Sequence, residues 1–182
     1  PRKNIRIFDG QPMISWSIQA AISSKCFDRI VVSTDDEEIA SLSRSYGADV
    51  PFMRPEELAR DESPEWLAWR HALNYLVEVE GSLPEVMVSI PTTAPLRLPL
   101  DIENCLDEFE KGDADMVITV TEAHRNPYFN MIEIKNKRIK IVKETNKRFL
   151  SRQVSPKVYD LNASIYIWKR QVLLKEDRVI LN

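Results

Sequence analysis

The stretch from Val86 to Arg97, Val-Met-Val-Ser-Ile-Pro-Thr-Thr-Ala-Pro-Leu-Arg, constrains this chain more than any other. It opens as an apolar, partly β-branched run too short for a helix, which predicts a buried strand. Pro91, Pro95 and Pro99 then forbid regular structure. Asp101 is expected to cap a helix, and Ile102, Cys105, Leu106 and Phe109 supply its apolar stripe. A strand therefore ends in a stiff, hydroxyl-bearing turn, and a helix leads away. In open α/β sheets ligands collect at the carboxyl ends of strands, where Thr92, Thr93 and Arg97 would sit. The alternative reading is a rigid connector that carries a surface arginine.

The same grammar repeats on both sides of this stretch. Ile14, Ile18, Ala21 and Ile22 give a helical stripe. Ile30 to Ser33 reads as a short strand, after which Thr34 and Asp35 are expected to cap a helix that ends at Gly47. The acids Asp35 to Glu38 fit the positive end of that helix better than a metal site, because a hard cation needs convergent carboxylates. Val50 to Met53 predicts another strand, with Arg54 at its carboxyl end. Trp66, Trp69, Leu73 and Leu76 line one side of a helix from about Pro64 and read as core. His71, without a Cys or carboxylate at catalytic spacing, reads as a structural residue. Met116 to Val120 is one more strand. Alternating β and α segments with short joints predict a mainly parallel sheet with helices on both faces.

From Glu122 the pattern changes. Tyr128 to Ile134 and Arg138 to Val142 predict a hairpin turning at Asn136-Lys137. Lys135, Lys137, Arg138, Lys140, Lys143, Lys147 and Arg148 make this arm basic. A last strand runs from Val158 to Trp168, with Ala163, Ile165 and Ile167 on one face and Asn162, Ser164 and Tyr166 on the other. The net charge of −3 gives no bulk attraction to nucleic acid or membrane. No apolar run is long enough to span a bilayer. Cys26 and Cys105 lack metal spacing and read as reduced core thiols in a cytoplasmic protein. The 182 residues suit a single domain, 1–182, that looks cut at both ends, with an arm at 126–156 inserted in it.

Several stretches, taken together and in order, resemble the acylneuraminate cytidylyltransferases, the CMP-N-acetylneuraminic acid synthetase family. They are Pro1-Arg-Lys-Asn4, Val31-Val-Ser-Thr-Asp-Asp-Glu-Glu-Ile39, Phe52-Met-Arg-Pro55, Glu57-Leu-Ala59, His71-Ala-Leu73, Pro95-Leu-Arg97, Arg152-Gln153 and Asn162. The resemblance implies a three-layer, Rossmann-like nucleotide-diphospho-sugar transferase fold with a protruding dimerisation hairpin. It also implies a reaction: CTP and a nine-carbon 2-keto sugar acid give the CMP-sugar and pyrophosphate, with Mg²⁺ as cofactor. By the same resemblance Lys3 would touch the phosphates as a catalytic group. Asn4 and Arg54 would bind the nucleotide, where Thr93, from its place at the strand's carboxyl end, is expected to join them. Asn162, Arg97 and, across a homodimer, Arg152 would bind the sugar. The Mg²⁺ ligands of the family lie in an Asp-x-Asp segment that is expected outside this chain.

There are departures from the family pattern. Pro91-Thr92-Thr93-Ala94 replaces Gln-Pro-Thr-Ser, Ala163-Ser164 replaces Gly-Ala, and Phe129 stands where some sialic-acid enzymes carry Lys. They leave sialic, legionaminic and pseudaminic acids open as substrates. A cytidylyltransferase for another sugar acid or alcohol phosphate, and a non-catalytic sugar-nucleotide-binding module, are the competing readings.

Overall fold

A computed structural model describes residues 2–81, 83–147 and 149–180. Pro1 of the first motif, Ser82 after Gly81 and Arg148 of the basic run lie outside the described residues. The chain divides into two compact units, residues 1–119 with 163–182, and residues 120–162. The second unit is wider at both ends than the 126–156 arm expected from sequence.

The first unit begins with a 3-10 turn, Lys3–Ile5, and a minimal hairpin of β1 (Ile7–Phe8) and β2 (Gln11–Pro12). Helix α1 (Met13–Ser24) follows, then α2 (Glu37–Ser45) and α3 (Glu65–Glu78). Strand β3 (Val86–Ser89) leads through the proline turn to α4 (Pro99–Lys111), and β4 (Met116–Glu122) leaves for the second unit. There β5 (Ile132–Lys135) and β6 (Arg138–Ile141) form a hairpin, and β7 (Tyr159–Lys169) returns to α5 (Arg170–Leu173). The central sheet has the order β3-β7-β4. β3 meets β7 antiparallel, Val88 opposite Ile167, whereas Val31 bridges Asp49 in parallel. The described pairings thus include both senses, antiparallel between β3 and β7 and parallel at the Val31–Asp49 bridge.

The three layers follow from the period-2 alternation of β7. Ile165 and Ile167 pack with Ala20 of α1 and with Ile102 and Phe109 of α4. Tyr166 and Trp168 turn to the other face, against Trp69 and Leu73 of α3 and Leu173 of α5. A third cluster joins Ile14 and Ile18 of α1 to Ile39 of α2 and Ala48. Helix stripes and an apolar strand thus bury each other on both sides of the sheet. Among the described residues, no helix is long and apolar enough to cross a membrane.

Several local expectations are corrected. Asp101 is not the N-cap of α4. Leu98 holds that position, Pro99 starts the helix, and the Asp101 carboxylate reaches back to accept from the Leu98 N–H at 2.8 Å. Proline suits the first helical position because its missing N–H would have no partner there. Asp36, not Thr34 or Asp35, caps α2, accepting from Glu38 N–H and Ile39 N–H at 2.9 and 3.2 Å. Residues 50–53 form no strand; beyond the bridge at Asp49 the chain meets Pro51 and turns to coil. Cys26 is exposed rather than buried, and Cys105 is half-buried against α4's own cluster. Ala163 has φ 49°, which breaks the alternation and turns it toward Tyr166 and Trp168 instead of Ile165.

The second unit is organised by Asn126, which is buried. Its Nδ2 donates to the Pro156 carbonyl at 2.9 Å, its Oδ1 accepts from Tyr128 N–H, and its own N–H donates to Asn130 Oδ1 at 2.7 Å. The residues that follow therefore turn before β5 starts at Ile132, four residues later than the sequence pattern suggests. The hairpin closes with Asn136 and Lys137 both left-handed, the two-residue turn that matches strand twist. In its register Ile132 faces Ile141 and Ile134 faces Ile139, so four isoleucines share one side and Glu133, Lys135, Arg138 and Lys140 the other.

Candidate active site

A cavity of about 340 Å³ lies wholly within the first unit. Its body is apolar, with Ile14, Ile18 and Ala21 of α1 on one side and Ala68, Trp69 and Ala72 of α3 on the other. A polar group stands where the chain runs out of the segments 30–33 and 86–89, made by Thr34, Asp35 and Thr92 and joined by Asn4, Arg54 and Glu65, while Arg29 lines the cavity ahead of residue 30. An apolar pocket with a few convergent polar groups at strand ends is the ordinary form of a ligand site in such folds.

Each polar group is fixed by local structure. Arg2 takes a left-handed conformation, φ 60°, that tightens the Lys3–Ile5 turn and presents Asn4. Thr92 Oγ1 donates to Asn4 Oδ1 at 2.7 Å, tying the first turn to the proline-rich one. Arg54 N–H donates to the Thr34 carbonyl at 2.8 Å, which pins its backbone to the end of the neighbouring segment. Its Nη2 donates to Asp35 Oδ1 at 3.3 Å, while its Nε is buried with no acceptor among the described residues. Ser33 Oγ is buried without a partner as well. An unpaired buried donor costs about 1–3 kcal/mol, so the arrangement favours a ligand that supplies an acceptor. Glu65, the first residue of α3, stands at the same mouth; desolvation there pushes its carboxyl up, against the opposing pull of Lys3.

The residues expected from sequence are divided by this geometry. Asn4 and Arg54 come together in the cavity wall. Lys3 is exposed and outside that wall, though close enough to act on Glu65. Thr93 is exposed, and its neighbour Thr92 takes the inward place. Arg97 is the clearest correction. It is 8 % exposed, and its guanidinium donates to Pro91 O at 2.9 Å, Ser164 O at 2.6 Å, Ser164 Oγ at 3.1 Å and Ser17 Oγ at 3.4 Å. Burial pulls its pKa down to about 10, with Asp101 opposing, and it remains a cation at neutral pH. Those donors are engaged inside the fold rather than offered to a sugar. Arg152 and Asn162 belong to the second unit, where Arg152 Nη2 donates to the Ala123 carbonyl at 2.8 Å.

Ser33, Thr34, Asp35 and Glu65 were not singled out for the site by sequence. An acid just after a proline at a helix start looks like any dipole-compensating residue, so Glu65 carried no distinguishing signal. Among the described residues, no group of three His, Cys, Asp or Glu is placed to hold a metal ion. Asp35 is paired with Arg54, Asp36 caps α2, and together with Glu65 at the mouth they form no metal-holding group among the described residues.

Three comparisons show what the chain is similar to. The chain is 42% identical over 177 residues to the post-translational flagellin modification protein B of Campylobacter coli, spanning 97% of this chain and 74% of that protein. It is 44% identical over 177 residues to the CMP-N,N'-diacetyllegionaminic acid synthase of Campylobacter jejuni, again spanning 97% and 74%. The solved structure of a CMP:2-keto-3-deoxy-manno-octonic acid synthetase complexed with CTP superposes with TM-score 0.66 at 13% identity, covering 94% of this chain and 68% of that one. At that identity the superposition speaks for the fold, the nucleotidyltransferase type of three-layer α/β domain. A family described as cytidylyltransferase matches residues 1–180, nearly the whole length, and with two relatives above 40% identity this chain belongs to the cytidylyltransferases.

Proposed function

We propose that the protein transfers CMP from CTP to a nonulosonic acid, with N,N'-diacetyllegionaminic acid as the first substrate to try. The observation that carries this reading is Arg54: its backbone is pinned to the Thr34 carbonyl, and its Nε is buried and without an acceptor among the described residues in the cavity wall. A cytosine offers a ring nitrogen and a carbonyl oxygen side by side, and a planar fork of donors suits them better than a lysine would. Asn4, fixed by Thr92, borders the same space. Lys3 is placed next to it in sequence to meet the phosphates, and the exposed Thr93 hydroxyl lies beside Thr92. In the reaction the sugar's anomeric oxygen attacks the α-phosphorus. The bond to the bridging oxygen breaks, pyrophosphate leaves with that electron pair, and the hydroxyl proton is released. Such a transfer depends on positioning and on cations at the phosphate oxygens. Asn162 and Arg152 are the sugar-side candidates. Arg97 serves from beneath, holding the Pro91 carbonyl and with it the Thr92-Thr93 turn. Mg²⁺ is the cofactor the family implies, and it would neutralise charge on the phosphate oxygens when bound; the described residues do not supply its ligands.

A homodimer through the second unit is part of this reading. Ile134 is 72% and Ile139 68% exposed on one side of a hairpin, a poor arrangement in water. Two unpaired cysteines accord with a cytoplasmic setting. The test is calorimetric titration of CTP into the protein and into Arg54→Ala. Loss of the charge-assisted bonds is expected to weaken binding by about 1–3 kcal/mol. Unchanged affinity would overturn the reading.

A further inference from the structure

Helix α3 presents one stripe to the cavity: Glu65, Ala68, Trp69 and Ala72, at i, i+3, i+4 and i+7. The last three are apolar or small, and Glu65 is the charged end of the stripe. Its surroundings locate it. Lys3 pulls on its carboxyl from the first turn of the chain. Tyr166 of β7 feels its charge, and the Tyr166 ring packs on Trp69, one helical turn beyond Glu65, at 5.4 Å. Tyr166 also stands opposite Ser89, the last residue of β3. Glu65 is therefore held between the Lys3–Ile5 turn and the carboxyl end of β3, close to where Thr92 Oγ1 donates to Asn4 Oδ1 at 2.7 Å.

The fold makes no use of this carboxylate. No described residue hydrogen-bonds to it, and the protein around it strips away water, which pushes its pKa up. The first turn of a helix favours an acid, but that preference is met equally by one turned to solvent. The neighbouring acceptors are engaged: Asp35 Oδ1 accepts from Arg54 Nη2 at 3.3 Å, and Asn4 Oδ1 accepts from Thr92. Of the acidic and amide side chains described at the mouth, Glu65 alone accepts no hydrogen bond. The mouth therefore offers a base both a donor fork, Arg54, and an acceptor, Glu65.

The two pyrimidine nucleotides differ in what they ask of such a pair. Cytosine carries a carbonyl oxygen and a ring nitrogen, both acceptors, and beside them an exocyclic amine that donates. Uracil shares the first carbonyl, but has an N–H at the ring nitrogen and a second carbonyl in place of the amine. A guanidinium satisfies the shared carbonyl of either base and so discriminates weakly. A carboxylate only accepts: it takes the amine and repels a carbonyl at the same place. We propose that Glu65 selects cytosine over uracil, its carboxylate accepting from the exocyclic amine while Arg54 donates to the ring nitrogen and carbonyl. The proposal rests on the nucleotide reading above and adds to it the residue that rejects UTP.

The test is calorimetric titration of three nucleotides into the protein and into Glu65→Gln and Glu65→Ala. They are CTP, UTP and the triphosphate of pyrimidin-2-one riboside, which lacks the amine. The unaltered protein is expected to bind UTP and the amine-free nucleotide at least about tenfold more weakly than CTP. The glutamine amide can turn its oxygen or its nitrogen to the base, so Glu65→Gln should bring CTP and UTP to within about threefold. Glu65→Ala should weaken CTP about tenfold and leave the amine-free nucleotide unchanged, a coupling between one amine and one side chain. Equal weakening of all three nucleotides would mean that Glu65 acts through Lys3 on the triphosphate, and would overturn the proposal. Unchanged binding of all three with a lowered kcat would move Glu65 to the sugar's proton and also overturn it. Glu65 is exposed at a helix start, so both variants should keep the Tm of the parent. A parent protein that binds no CTP sinks the nucleotide reading and this proposal together. A parent that binds CTP, with the CTP-to-UTP ratio unmoved in both variants, leaves that reading standing and sinks the proposal alone.

Discussion

Replacing Arg97 by methionine should destabilise the first unit and leave its ligand preferences alone. Methionine keeps the packed stem but removes the guanidinium, which holds Pro91 O at 2.9 Å and Ser164 O at 2.6 Å. Two carbonyls then lose their donors, each a loss of about 1–3 kcal/mol where water does not replace the bond. Against this, taking a cation out of a desolvated position is favourable, as the lowered Arg97 pKa of about 10 shows. The net expectation is a loss of about 2–4 kcal/mol. In a protein of this size 1 kcal/mol shifts Tm by about 2–4 °C, so the variant should melt roughly 4–16 °C lower. Arg97→Lys retains the charge but not the fork and should fall between the two. Calorimetry and urea titration measure the loss. Steady-state kinetics with CTP and the diacetylated sugar acid supply the contrast. An unchanged Tm with a KM for the sugar raised tenfold or more would refute the reasoning and return Arg97 to the sugar site.

Other expectations follow from single positions. Ala163→Gly relieves a left-handed alanine, φ 49°, and should stabilise the protein by about 0.5–1 kcal/mol in urea titration; destabilisation would mean that the methyl's packing with the Trp168 cluster outweighs the backbone term. Iodoacetamide should modify exposed Cys26 well before Cys105, whose thiol is half-buried and pushed up by desolvation. Peptide mass mapping that finds the reverse order would contradict the placement of α4. Ile134→Lys together with Ile139→Lys should shift light scattering from dimer to monomer without lowering Tm of the first unit; a dimer that persists places the interface elsewhere.

What the sequence disclosed and what it hid have the same physical root. α2 and β3 were legible because each joins a regular apolar period to a clear stop, Gly47 after α2 and the prolines after Ile90. The three-layer arrangement followed from their alternation. Arg54 and Asn4 were legible through family motifs and their places at turns. Arg97 was misread because its fate depends on Ser164 and Ser17, 67 and 80 residues away in sequence. No local pattern encodes that contact. Ala163 was misassigned because strict alternation has no term for one residue in the left-handed region. β5 began late because a single side chain, Asn126, gathers the backbone of the residues after it. Asp101 lay one turn further into its helix than expected because Pro99 could serve as a start and a carboxylate can cap from the third position.

The antiparallel pairing of β3 with β7 has a consequence for how the chain is made. Ser89 finds its partner in Tyr166, 77 residues later, and the whole second unit is synthesised in between. At about 5–20 residues per second, β3 waits some 4–15 s on the ribosome before that partner exists. During this interval the edge of β3 that will face β7 has no ladder, a template for pairing with other nascent chains. The second unit, whose hairpin contacts are local, can form while β3 waits. The order of assembly is thereby set by the chain's threading: arm first, central sheet last. Yield should accordingly fall more steeply with expression temperature than Tm alone predicts.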